Sequence, residues 1–225
     1  MLPRRCSVGS LSAAPGADAG SVARDLRLEA ALRSFGSMHR EDPRSITVEG
    51  DVMPWSVHYH QRLLHWTLHF EPKPSVALRL AASCQHVRRW TVPRSGYEQG
   101  RKGYRQWRSH LAKLHRQISA SVLGEVGYDD NTIGRVGALL LKTGLKRDPE
   151  VQLFEDAICM VFLENELGTL AAKHDDGKMV DVLRRTWKKM SAAGRSAALT
   201  LALELPERER TLVLSATGAS PAGTP

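Results

Sequence analysis

Cysteine is scarce in this chain. Only Cys6, Cys84 and Cys159 occur among 225 residues, which excludes a disulfide framework and a Cys-rich zinc pattern and points to a reducing compartment. Cys84 and Cys159 fall inside apolar helical patterns, where a thiol acts as a small hydrophobe. Cys6 lies in a polar segment. Long hydrophobic runs are also missing. The longest, Ala157 to Leu163, is too short to cross a bilayer, so no membrane partner is expected. Convincing strand alternation and internal repeats are absent as well. Acidic residues are missing before Asp18, and between residues 86 and 116 Glu98 is the sole acid.

What is present is helical periodicity almost from end to end. A hydrophobic content of 42% suffices for a real core. The stripe Leu28, Ala31, Leu32 and Phe35 predicts a first helix over 21–38. A second over 54–70 is stopped by the EPKP at 71–74. A third runs over 75–90, and a fourth over 104–126 with Gly127 as its C-cap. Asp129 or Asp130 caps a fifth. Asp148-Pro149-Glu150 opens a sixth, whose body is apolar nearly all round and is therefore expected to be central. A seventh covers 178–193. The expected architecture is all-α: one domain of about seven helices over 22–205, with disordered tails at 1–21 and 206–225. The first tail carries Arg4 and Arg5 among Ser, Ala and Gly. It reads as an organellar transit peptide or as a plain extension, so the location is cytoplasmic, or mitochondrial or plastid through that segment.

The charge is unevenly placed. Residues 86–116 hold Arg88, Arg89, Arg94, Arg101, Lys102, Arg105, Arg108, Lys113 and Arg116 against Glu98, a net +8 that equals the net charge of the whole chain. Trp90, Tyr97, Tyr104 and Trp107 are interleaved with them. Guanidinium forks suit phosphate oxygens and aromatic rings suit bases. The segment reads as an anion-binding loop between helices three and four, or as a solvated basic face. Arg88, Arg89, Arg94, Arg101, Arg105, Arg108 and Lys113 are the candidate phosphate ligands.

Nine histidines are unusually many. His58, His60, His65 and His69 crowd helix two, His86 ends helix three, and His115 lies beside the apolar stripe of helix four. Asp156 lies in the most apolar helix, where a carboxylate must be paired, hydrogen-bonded or metal-bound. Helical bundles build metal and phosphate sites from inward side chains on facing helices. His86, His115 and Asp156 on three helices are thus candidate ligands of a divalent metal. His174-Asp175, by contrast, reads as part of a polar loop.

The stretches REDP (40–43), LRLAASCQHVRRWTVPRSGY (78–97), GYRQWR (103–108), LKRDPEVQLFEDAICMVFLE (145–164) and KHDDGKMVDVLRRTWKKMS (173–191) resemble an uncharacterised family of HD-domain-like helical proteins. Some of its members carry a glutamyl-tRNA synthetase label, yet nothing in the chain looks like the Rossmann domain of a synthetase. The family is distantly similar to HD-type phosphohydrolases. That resemblance gives Asp156 the place of the last metal ligand and puts Gln85-His86 where the superfamily has His-Asp. It puts the upstream histidine near Tyr59, where His60 serves if helix two shifts by one residue. What it implies is a phosphohydrolase-like protein acting on a nucleotide or phosphorylated small molecule, with a mononuclear metal or none. The alternatives are a non-catalytic module binding RNA or another polyanion, and a helical interaction protein with a degenerate site.

Overall fold

The computed structural model describes residues 19–218, with side chains from residue 25 onward. The elements run α1 (Ala19–Arg40), β1 (Ser45–Val48), β2 (Asp51–Pro54), α2 (Trp55–Phe70), α3 (Val76–Cys84), α4 (Gly100–Glu125), α5 (Asp130–Leu141) and α6 (Pro149–Val161). A π-helical turn (Phe162–Glu166) joins α6 to α7 (Leu167–Ala171). Then come α8 (Asp176–Lys189), α9 (Ala192–Ala202) and α10 (Glu207–Thr217). The fold is mainly helical, as the periodicity predicts. None of the described helices is long and apolar enough to cross a membrane.

α6 is the centre. Val151, Phe154, Ala157, Cys159, Met160 and Val161 are all buried, and α2, α3, α5, α8 and α9 pack around it. Its start follows the sequence signal. Asp148 accepts from the backbone N–H of Glu150 and Val151, with Pro149 in the first turn. Arg135 forks onto both Asp148 and Glu150, tying α5 to α6. Asp129 caps α5 by accepting from Thr132 N–H. Gly127, at φ +83°, closes α4, while Tyr128 N–H reaches back to Leu123. Asp175 caps α8 by accepting from Lys178 N–H, so His174-Asp175 belongs to a turn, as the polar-loop reading has it.

Four expectations are corrected. A short antiparallel hairpin exists where no strand was expected, pairing Ile46 with Met53. Its two-residue turn, Glu49 at φ 52° and Gly50 at φ 94°, has the backbone twist that tight hairpins need. Strands of four residues are too short to show alternation. The third helix stops at Cys84 rather than residue 90. Arg88 sits in the left-handed region at φ 52°, which no regular helix accommodates. The fourth helix begins at Gly100, four residues early. There the chain folds back so closely that a Cβ on Gly103 would lie 2.0 Å from the Glu98 carbonyl oxygen. Finally, residues 207–217 are not a tail. They form α10, which packs on α8 and buries Leu212 and Val213. Together with α9 this exceeds the expected seven helices. The proposed N-terminal segment 1–21 lies almost wholly outside the described residues, as do residues 219–225.

Leu212→Ala tests the last correction. Removing a fully buried leucine side chain is expected to cost about 2–5 kcal/mol in urea unfolding. A change near zero would mean that α10 does not belong to the folded unit.

Candidate anion-binding site

The bracket beside the site is the Asp42 of REDP. Its buried carboxylate accepts from Arg44 N–H, Nε and Nη2 and from the Ser56 hydroxyl. Burial works to raise this carboxyl, but the bonds from Arg44 and Ser56 outweigh it and hold it below the ordinary range. The bracket fixes the hairpin to the start of α2, and the Arg44 guanidinium lies over Trp55, 4.6 Å from the ring centre.

α2 then delivers Tyr59 and His60 into the interior. The His60 ring stacks on His39 of α1, with centroids 3.6 Å apart. Tyr59 lies 4.8 Å from the His86 ring, and His86 lies 5.6 Å from His115 of α4. His60, His86 and His115, singled out from sequence, therefore do come together, with His39 and Tyr59 added. Burial lowers the pKa of all four histidines, to about 3 for His115, and the cations Arg89 and Arg108 push His86 and His115 the same way. They are neutral imidazoles near pH 7. His60 Nδ1 donates to the Ser56 carbonyl at 2.6 Å, which leaves Nε2 a bare acceptor. His60 Nε2, His115 Nε2 and the Tyr59 hydroxyl are buried with no partner among the described residues.

Asp156 is engaged elsewhere. Its oxygens accept from the Ser191 hydroxyl and N–H and from Gln152 Nε2. α9 approaches so closely that a Cβ on Gly194 would lie 2.6 Å from the Asp156 Cγ. The carboxylate thus braces the N-terminus of α9, and Ser191 is that helix's N-cap. Of the three fates open to a buried carboxylate, it has the hydrogen-bonded one. Among the described residues no three His, Cys, Asp or Glu side chains are grouped to hold a metal. The donor set expected for a divalent ion, His60, His86, His115 and Asp156, does not fit one as arranged. Its carboxylate is spent on Ser191, and a guanidinium lies on the His86 ring.

That guanidinium is Arg89. Nη1 contacts the His86 ring nitrogens at 3.1 and 3.4 Å, and the group lies over Trp107 at 4.9 Å. The indole N–H of Trp107 donates to the Val92 carbonyl, which holds the 3₁₀ turns of residues 89–96 against α4. Arg89 is half-buried and has no ion-pair partner among the described residues. The rest of the basic segment divides by use. Arg94 clamps its own loop, donating to the carbonyls of Tyr97, Glu98 and Gly100, so it is not open to a phosphate as expected. Arg88 pairs with Glu41. Arg101, Arg105 and Lys113 are exposed. Arg108 is exposed as a residue, yet its charge reaches His86, His115, Arg89 and Glu166.

Glu166 was missed from sequence. It ends the π-helical turn and has no hydrogen-bond or ion-pair partner among the described residues. Burial raises its pKa, opposed by Arg89, Arg44 and Arg108. Its neighbours hold the turn. Glu164 takes a two-pronged bond from Arg62 and one from Trp66 Nε1, and the Asn165 amide oxygen meets His58 Nε2 at 2.7 Å. The available signal was two acids within FLENE, at the end of the most apolar helix. A 3.6-residue reading could not place them, because the π-turn breaks that period.

The buried imidazoles set a pH dependence. A histidine whose folded pKa is lowered is held neutral by the fold. Its contribution is complete above the unfolded value of 6.5 and is lost as pH falls below it, because the unfolded chain takes up the proton first. Stability should decline below pH 6.5 by up to about 1.4 kcal/mol per pH unit for each such histidine. In urea unfolding between pH 5 and 6.5, His115→Gln should lessen the slope by about one share. An unchanged slope would mean that His115 is not held neutral in the fold.

No curated protein and no solved structure matches the chain. A family model described as a domain of unknown function (DUF4202) matches residues 29–213. That match takes in α2 through α9, the hairpin and every side chain of the candidate site, and the chain belongs to the DUF4202 family.

Proposed function

We propose that this chain is a phosphohydrolase-like protein of HD type that acts on a nucleotide or phosphorylated small molecule at the site around Arg89. The observation that carries the reading is Arg89 itself: a half-buried guanidinium, packed on His86 and Trp107, with no carboxylate partner among the described residues. A cation held this way is stabilised by an anion, and a phosphate offers the planar fork two oxygens. Arg108 adds a second charge from α4. Positive charge held in place beside a phosphoryl group stabilises the charge that develops on it. The neutral imidazoles can donate or accept hydrogen bonds there. With its pKa near 3, His115 is too weak a base to take a proton from water at neutral pH.

A second reading has its own support. Arg101, Arg105 and Arg108 follow at helical spacing along α4 and are exposed, which suits a strand of RNA or another polyanion. Salt separates the two. A polyanion binder loses affinity steeply as salt rises, by about 0.7 in log–log slope per phosphate on single strands. A pocket for one phosphate ester shows a shallow dependence.

Calorimetric titration of the purified chain with inorganic phosphate and a nucleoside monophosphate tests the proposal, alongside an assay of phosphate release. Arg108→Ala should weaken binding by about 1.5–3 kcal/mol per charged hydrogen bond lost. Arg94→Ala should loosen the loop and leave the affinity nearly unchanged. Equal affinity in wild type and Arg108→Ala, or a loss confined to Arg94→Ala, would remove this reading.

A further inference from the structure

We infer that Tyr104 is the stacking platform of the anion site and that the ligand is a nucleotide: its phosphate sits on Arg89 and its planar base lies on the exposed Tyr104 ring. The inference rests on the proposed function. It narrows the ligand from phosphorylated small molecules in general to those that carry a flat aromatic ring. The geometry is a chain of contacts. The Arg89 guanidinium carbon lies 4.9 Å from the centre of the Trp107 ring. The Trp107 ring in turn lies 5.9 Å from that of Tyr104, tilted by 49°. These two spans limit how far the tyrosine stands from the guanidinium. A nucleoside monophosphate, from phosphate to base with one contact distance at each end, bridges such a gap.

Among the four aromatic residues of the basic segment, Tyr104 is the one open to a base. Trp107 is only 9% exposed, and its indole N–H is spent on the Val92 carbonyl. Tyr97 is half-buried, with its hydroxyl bonded to His110 Nδ1. Trp90 is half-buried as well. Tyr104 is 49% exposed, and a base laid over its ring takes that apolar surface out of water. The platform is also held. Trp107 backs it from one turn along α4. The chain before α4 folds against Gly103, where a Cβ would lie 2.0 Å from the Glu98 carbonyl oxygen, and Arg94 clamps the same loop. A ring ordered before the ligand arrives loses little freedom on stacking. Arg108 follows Tyr104 by four residues on α4 and so shares its side of the helix, which sets a second cation on the face that the nucleotide covers.

The test is calorimetric titration of the full chain with adenosine 5′-monophosphate, ribose 5-phosphate and inorganic phosphate. The first two share a sugar phosphate and differ in the base. Wild type should bind adenosine 5′-monophosphate about tenfold more tightly than ribose 5-phosphate, the gain that stacking one base supplies. Tyr104→Ala should bring the two affinities together, and Tyr104→Phe should keep them apart. Equal wild-type affinity for the two ligands overturns the inference and leaves the anion site standing. So does a preference that survives in Tyr104→Ala or is lost in Tyr104→Phe. Failure of all three ligands to bind wild type overturns both the inference and the proposed function. The wild-type comparison decides the matter even where a variant does not fold.

Discussion

The Arg62 guanidinium grips Glu164 with two parallel bonds, at 2.8 and 2.6 Å, and the geometry of the candidate site hangs on that grip. A π-turn gives up the regular ladder of an α-helix and is rare; here side chains of α2 hold it from one side. Burial alone would raise the Glu164 carboxyl; the bonds from Arg62 and Trp66 outweigh it and keep the group charged. With Glu164 and Asn165 locked to α2, the next residue, Glu166, has no such partner and falls within electrostatic reach of Arg89.

Buried charge in this chain is sorted by partner. Asp42 and Asp156 sit deep, and each is covered by hydrogen bonds: the first joins the hairpin to α2, the second joins α6 to the start of α9. Glu155 is bridged by Lys142 and Lys189. These are the groups that a fold can bury without cost in open charge. The interior imidazoles meet the same constraint by staying neutral. What remains is a half-buried Arg89 that packs on His86 and Trp107 with no carboxylate paired to it among the described residues. The proposed anion is what would meet the unpaired charge of Arg89.

The helices were legible where local chemistry fixes them. Asp148-Pro149, Asp129 and Gly127 act within one turn, so sequence alone places them. The elements that escaped depend on contacts far along the chain. Glu207 to Thr217 is rich in Glu and Arg and looks like a solvated extension; only the groove on α8 makes Leu212 and Val213 worth burying. Helix three loses its last turn to Arg88, and no propensity announces a left-handed arginine. For the site, the histidines were readable as a cluster because three consecutive elements each supply one. Asp156 was recognised as needing a partner, but nothing local says that the partner is Ser191 rather than an imidazole or a metal. Nor could one basic segment be told apart residue by residue. Arg94 is spent on carbonyls and Arg89 on rings, though both look alike in sequence.

The central proposal is that Arg89, held against His86 and Trp107, binds an anion together with Arg108. A crystal of the full chain soaked in tungstate tests it most directly, because the anion is tetrahedral and its tungsten scatters anomalously. The account predicts an anomalous peak within hydrogen-bonding reach of the Arg89 guanidinium, lost in crystals of an Arg89→Gln variant. Tungstate found only along the exposed Arg101 and Arg105, with none at Arg89, would contradict it.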